Sequence, residues 1–406
     1  MVAVIGILMG ADCLLAGPQD DDYRVQKFLA RNLTDGGLAK ELRVNGSVTT
    51  RLNVTRPELT ASGWGRLSEF QRLEQISINQ AADLTDANLA FLEKLRNLKR
   101  LTLSSCHNLS GEFLSQPLNW NSLTYLSIDS SKLQGSALRR LRSSRLKTLN
   151  LSASQISHSD LEAIGELASL RELRLVNVPR LFSIDLSQFP NLQLLTVRNC
   201  GVRILKGLKQ HANIQELRVI DCRHLRDMTL GDLPRLRILE LMNARVGSKV
   251  AESASQMTEL RVLSLSGCPR VTDLDMRQLR KLETLDLSKT GIGRGKLSSL
   301  RSAATLRRID MANCGELPDD TADALSKLPK LRHLDVMGTK FSKDAIRQII
   351  AIARGLRCVC SWMILRACAS AGMQACEPGS PCWGGIEKTS IDWIEVSKIS
   401  GGWTAN

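Results

Sequence analysis

Eleven cysteines and five histidines are the side chains of this 406-residue chain best suited to chemistry. The cysteines stand at 13, 106, 200, 222, 268, 314, 358, 360, 368, 376 and 382. A thiol becomes a nucleophile or metal ligand when neighbours stabilise its thiolate, and a metal needs several ligands converging on one point. Five of these cysteines stand singly between 106 and 314, and five crowd between 358 and 382. The total is odd, which does not suit a single disulfide framework. The histidines, at 107, 158, 211, 224 and 333, share no local cluster. Neither G-x-x-x-x-G-K-[ST] nor G-x-S-x-G occurs. The glycine-rich TGIGRGK (290–296) lacks phosphate-loop spacing. No cofactor and no catalytic constellation is expected.

The single cysteines make sense once the elements around them are read. In LSGCPRVTDLDMRQLRKLETLDLSKTGI (265–292) the phrase LSGC returns 22 residues later as LSKT. The pattern L-x-x-L-x-L starts at residues 73, 98, 123, 146, 170, 192, 214, 236, 260, 282, 306 and 331. Degenerate copies begin at 49 and 356, giving about 14 repeats of 22–25 residues over residues 49–361. Alternation within LETLDL predicts a half-buried strand in each repeat. One such unit cannot bury its leucines alone, so the units must stack on a shared core. Aromatics make up only 4% of the chain, and leucine supplies most of the apolar mass.

Numbering each repeat from its first leucine, position 9 reads Cys106, Ser131, Ser154, Val178, Cys200, Cys222, Ala244, Cys268, Thr290, Cys314 and Thr339. All five single cysteines share this column, interchangeably with Ser and Thr. The strand ends here and leaves carbonyls to satisfy, so a small buried donor is wanted. The residues Cys106, Cys200, Cys222, Cys268, Thr290, Cys314 and Thr339 are therefore read as a structural ladder.

These repeats resemble the leucine-rich-repeat family, mixing cysteine-containing units (CHNLS, CRHLRD, CPRVTD) with bacterial T-x-I-T-D-like units (TGIG, TKFS). The resemblance covers about three quarters of the chain and implies an α/β solenoid. In that fold a curved parallel sheet lines the concave face and short helices and turns form the convex face. Segments 85–95, 157–167, 319–328 and 342–353 read as return helices, capped by Thr, Ser or Asp. The shorter returns FSIDLSQF and TDLDMRQL are expected to hold one tight helical turn, with the convex layer thinnest around 175–235.

Family members usually bind partners on the concave face, which positions 2, 3, 5, 7 and 8 should line. Position 2 is basic in seven of twelve repeats, which predicts a positive rim. The candidate partner-binding residues are Lys99, Arg100, Tyr125, Lys147, Arg171, Arg174, Arg198, Arg218, Arg237, Met242, Arg261, Glu283, Asp286, Arg307, Arg332 and His333. His333 falls near Asp310 and Asp335, and a histidine between carboxylates can titrate near neutrality. No nucleophile accompanies it. The formal charge is +14, and a positive field of this kind attracts acidic surfaces and polyanions. Apolar outward positions such as Leu194, Ile220, Ile238, Met242 and Met337 fit a protein partner better.

Residues 18–48 are expected to cap the array, with a short helix around Tyr23–Ala30. The apolar stretch 1–17 resembles the apolar region of a signal peptide and reads as an export or anchor segment. Secretion or cell-envelope placement follows in that case, and a cytoplasmic one if the stretch is instead part of the cap or a misassigned start. The tail 362–406, with Cys368, Cys376 and Cys382, loosely resembles a cysteine-containing cap. No segment of the array is long and apolar enough to span a membrane. The resulting expectation is a non-catalytic scaffold whose concave face binds a protein. The alternatives are a polyanion or nucleic-acid binder using the basic rim, or an adaptor or regulatory subunit of an enzyme complex. The cysteine-containing repeats resemble those of F-box substrate receptors, but no F-box is evident.

Overall fold

The computed structural model describes residues 26–115, 121–129, 132–294, 297–355 and 358–359. The segment 1–17 and the tail 362–406 lie outside these residues, as do Ser131 and all cysteines after Cys358. By contacts the chain divides into two compact units, Met1–Leu146 and Lys147–Asn406.

The first unit holds the parallel strands Gln26–Arg31, Thr49–Thr55, Gln75–Asn79, Arg100–Ser104 and Tyr125–Asp129, each paired with the next. The second continues the same motif from Thr148–Ser152 through Glu172–Val176, Leu194–Arg198, Glu216–Ile220 and Ile238–Met242. Val262–Ser264, Thr284–Asp286, Arg308–Asp310, His333–Asp335 and Cys358–Val359 complete it. Apart from a shift at Gln26, residues of these strands face the same repeat position of the next strand, whether the units are 22 or 25 residues long. Burial follows the expected phase: in one rung Leu282, Leu285 and Leu287 are 0% exposed and Thr290 6%. Each such leucine contributes roughly 1.5–3 kcal/mol of burial, and the stacking makes one rung's core the lid of the next.

Position 8 carries a feature of its own. Among the described residues all eleven non-glycine residues with positive φ fall there, from Asn32 through Asn177, Asn199, Asp221 and Asn243 to Asn313, and Gly267 and Gly338 share it. This left-handed residue turns the chain from the sheet into the stack. Asn and Gly suit that conformation, because other side chains crowd the following carbonyl. Neighbouring rungs are tied here by Asn199 donating to Asn177 (2.8 Å) and Asn243 donating to Asp221 (2.7 Å).

The N-terminal expectation is corrected. Residues 26–30 are strand, not helix, and Asn32 repeats the left-handed turn residue found in the later described rungs. The repeat phase therefore extends one unit further back, followed by a helix at Asp35–Asn45 capped by Thr34. Phe28 and Ala30 stand at the register positions of Leu52 and Val54 in the next strand.

The return segments follow their length. α-Helices form at His158–Ile164, Asp320–Ser326 and Lys343–Gly355, as expected. The segment Asp86–Lys94 is a 3-10 helix instead. Its buried Leu89, Leu92 and Leu95 recur every third residue, the 3-10 period rather than 3.6. In the 22-residue units FSIDLSQF gives a strand, Ser183–Asp185, and then a 3-10 turn, Leu186–Gln188. TDLDMRQL forms no helix. An α-helix advances only about 1.5 Å per residue against about 3.3 Å for extended chain, so a short return must stay extended to cross the layer. Extended returns also pair: Ser183–Asp185, Ile204–Lys206 and Asp227–Met228 form a small outer parallel sheet. Among the described residues no α-helix lies between Ile164 and Ser248.

Candidate functional site

The Cys and Thr side chains at position 9 bond to backbone carbonyls at the strand ends. Each cysteine thiol donates to the position-6 carbonyl of the preceding rung: Cys106 to Ile78 (3.7 Å), Cys200 to Leu175 (3.4 Å), Cys222 to Val197 (3.8 Å), Cys268 to Leu241 (3.0 Å) and Cys314 to Leu287 (2.9 Å). Thr339 makes the same bond to Met311 at 2.6 Å. Thr290 turns instead to Leu287 of its own rung, at 2.6 Å. Among the described residues the buried hydroxyl of Ser154 has no hydrogen-bond partner; it lacks both the longer C–S bond of Cys and the branched carbon of Thr. All five thiols are free and buried. Burial pushes Cys106 and Cys268 up to about 11 and Cys200 up to about 12, and raises Cys222 and Cys314 too. They stay protonated at neutral pH and are poor nucleophiles.

The open face of the sheet carries the other candidates. In the first unit Lys99 pairs with Glu74 at 2.9 Å, and the Arg100 guanidinium lies 3.7 Å from the ring centroid of Tyr125. In the second unit Arg261 and Arg307 share Glu283, at 3.2 and 3.9 Å. These pairs are exposed and individually weak, and their two carboxylates offset two of the seven positive charges expected along the rim. Lys147, Arg171, Arg198, Arg237 and Arg332 are exposed and have no carboxylate within 4.0 Å among the described residues. Arg174 approaches Glu172 at 3.9 Å.

The best-built part of this face centres on Arg218. Its guanidinium is clamped between Glu216 (2.5 Å) and Glu240 (2.8 Å), with all three side chains less than a third exposed. Half-buried apolar side chains flank the clamp on its own and neighbouring strands: Leu194, Ile238 and Val262 at position 3, and Val176, Ile220 and Met242 at position 7. The sequence analysis named Arg218 and Met242 but not the clamp. Its signal was the arginine followed 22 residues later by glutamate in the same column.

Toward the C-terminal rungs the centre line turns acidic. Asp286, Asp310 and Asp335 are register neighbours. Each accepts from the backbone N–H two residues on, from Ser288, Ala312 and Met337 at 2.9–3.0 Å. They close the turns that follow the shorter strands. Burial, reinforced by Asp286 and Asp335, pushes Asp310 up to about 6. His333 does not titrate as the sequence suggested. Its row neighbour is Arg308, and burial together with that arginine lowers its pKa against the pull of Asp335. Among the described residues no group of three or more His, Cys, Asp or Glu is placed to hold a metal ion. No helix among them is long and apolar enough to cross a membrane.

No protein-family model matches the chain, and no curated protein matches its sequence. Solved structures do match its fold. A leucine-rich-repeat protein of Leptospira interrogans aligns at 19% identity and TM-score 0.56, covering 82% of this chain and 89% of that one. The Toll–Spatzle complex of Drosophila aligns at 18% identity and TM-score 0.59, covering 82% of this chain and 46% of that one. A TLR13–ssRNA13 complex aligns at 20% identity and TM-score 0.52, covering 75% and 49%. The chain spans about half the length of the latter two. At these identities the likeness shows the fold alone.

Proposed function

We propose that this chain, an α/β solenoid of leucine-rich-repeat fold, is a non-catalytic scaffold that holds a protein on the open face of its second unit, between Glu172 and Ser264. The observation that carries this reading is the Arg218 clamp ringed by half-buried apolar side chains. Protein interfaces put apolar side chains and arginine at the centre and polar groups at the rim. The exposed Arg171, Arg198 and Arg237 form such a rim, and their field favours an acidic partner surface. Proteins of the same fold have been solved with Spatzle in one case and with ssRNA13 in another, which supports binding in general.

The test is photo-crosslinking in the native host, with a photoreactive residue replacing Ile238 or Met242 and, as a control, Ser187 on the outer side. A discrete protein adduct from 238 and 242, lost on Ile220→Asp and absent from 187, is the expected result. The same adducts from all three positions, or adducts from 187 alone, would sink the proposal.

A further inference from the structure

The sequence placed positive charge along the starting edge of the strands. The structure reveals a second basic line beyond their other end, in the turns that follow the ladder. Five consecutive rungs of the second unit each contribute an exposed arginine, Arg180, Arg203, Arg226, Arg245 and Arg270, and Arg223 is a second one in the turn of Arg226. Their turns are joined by backbone contacts. The Arg203 N–H donates to Phe182 (2.8 Å), Arg226 to Arg203 (3.2 Å) and Arg245 to Leu225 (3.0 Å), while Gly247 bridges to Arg270. Parallel strands stand about 4.8 Å apart, so Arg203, Arg226 and Arg245 form a row of roughly 10 Å, with Arg180 and Arg270 two residues off it on the rungs at either end. None of the five has a carboxylate within 4.0 Å among the described residues. The clamp and rim of the open face are partly neutralised, whereas this line is not. Beside it stands Phe182, one of the few large apolar side chains left exposed, at 44%. The Arg203 guanidinium lies over its ring, 5.1 Å from the centroid.

We infer that this ridge is a binding track for single-stranded nucleic acid. Arginine presents a planar fork that grips phosphate oxygens in pairs, and all five cations are arginine rather than lysine. Phe182 and the guanidinium over it offer flat surfaces on which an unpaired base stacks. A folded protein partner would need several apolar anchors, and Phe182 is the single one beside the ridge among the described residues. A duplex keeps its bases stacked inside and has none to offer Phe182. The track is separate from the protein-binding face proposed above and does not depend on it.

Fluorescence anisotropy of the full chain with a labelled single-stranded oligothymidylate tests this. Binding should weaken with salt, with a log–log slope of about −0.7 per phosphate contact, so roughly −2 to −3.5 for three to five contacts. The variant R203E/R226E/R245E should bind more than tenfold more weakly, and the starting-edge variant R237E/R261E/R307E less than threefold. Phe182→Ala should cost several-fold in affinity and leave the salt slope unchanged, a split that a merely structural role would not produce. If charge reversal unfolds the chain, R203Q/R226Q/R245Q is read in the same way, with a three- to tenfold loss expected. The inference is overturned if ridge and starting-edge variants behave alike, or if Phe182→Ala changes nothing. It is equally overturned if poly-glutamate competes as well as unlabelled oligonucleotide, or if a duplex of the same length binds as tightly as the single strand.

Discussion

Raising the pH should loosen the second unit through its thiol ladder. Cys200 and Cys268 titrate near 12 and 11 in the fold, against an ordinary value of 9.0. At pH 10 each thiol is about nine-tenths ionised when unfolded but at most about one-tenth ionised when folded. Unfolding therefore releases protons, and stability is complete below pH 9 and lost as pH rises toward the folded values. Integrated from pH 7 to 10, the loss is about 1.4 kcal/mol for each thiol, or about 3 kcal/mol for the pair. Cys222 and Cys314, also raised by burial, act in the same direction. Repeat arrays unfold in blocks, so the sound readout is a comparison between variants. Urea midpoints at pH 7 and 10 would be measured for the wild type and for C200T/C268T, since the column already accepts Thr at 290 and 339. At about 2–3 kcal/mol per molar urea, the wild type should lose roughly 1 M more of midpoint than the variant. An equal alkaline loss in both would refute the assignment of the ladder as a set of buried neutral donors.

Three further outcomes follow from the same geometry. Cys268→Thr should change stability by less than about 1 kcal/mol and leave partner binding intact, while Cys268→Asp should cost about 3–5 kcal/mol for an unpaired buried charge; similar urea midpoints for the two would contradict the ladder. His211 is 1% exposed, its Nε2 meets the Leu186 carbonyl at 2.8 Å, its Nδ1 has no partner, and burial lowers its pKa. Its imidazole is thus neutral in the fold and takes up a proton on unfolding, so stability should fall as pH drops through about 6.5; His211→Leu, matching Leu233 one rung on, should flatten thermal stability between pH 7 and 5. Gly267 has φ +69°, and an added Cβ would lie 2.1 Å from the Asn243 amide oxygen; Gly267→Ala should cost about 2 kcal/mol, and N243A/G267A should recover the clash but not the roughly 1 kcal/mol of left-handed strain.

How much of this was legible depends on whether a feature keeps phase with the repeat. Leucines at positions 1, 4 and 6 and the Cys/Thr ladder at 9 recur in register, and their burial and bonding were readable from columns alone. The left-handed residue was readable too, one column earlier, in Asn177, Asn199, Asn243 and Asn313, but Ser105, Ala153 and Lys289 blur it. The strand Gln26–Arg31 escaped because Phe28 and Ala30 replace the leucines. On the open face the Arg218–Glu240 clamp joins residues 22 apart, so a column again held the signal, and only the distances show which arginines are spent on partners. The arginine ridge has no column. Its members stand at repeat positions 11, 12, 13, 10 and 11, because the turns after the ladder differ in length. Arg203, Arg226 and Arg245 come level because backbone bonds such as Arg226 to Arg203 join unequal turns, while Arg180 and Arg270 stand two residues off that row at its two ends. A repeat sequence thus discloses its framework, which is periodic, and hides the aperiodic decoration that gives one array a partner its neighbours lack.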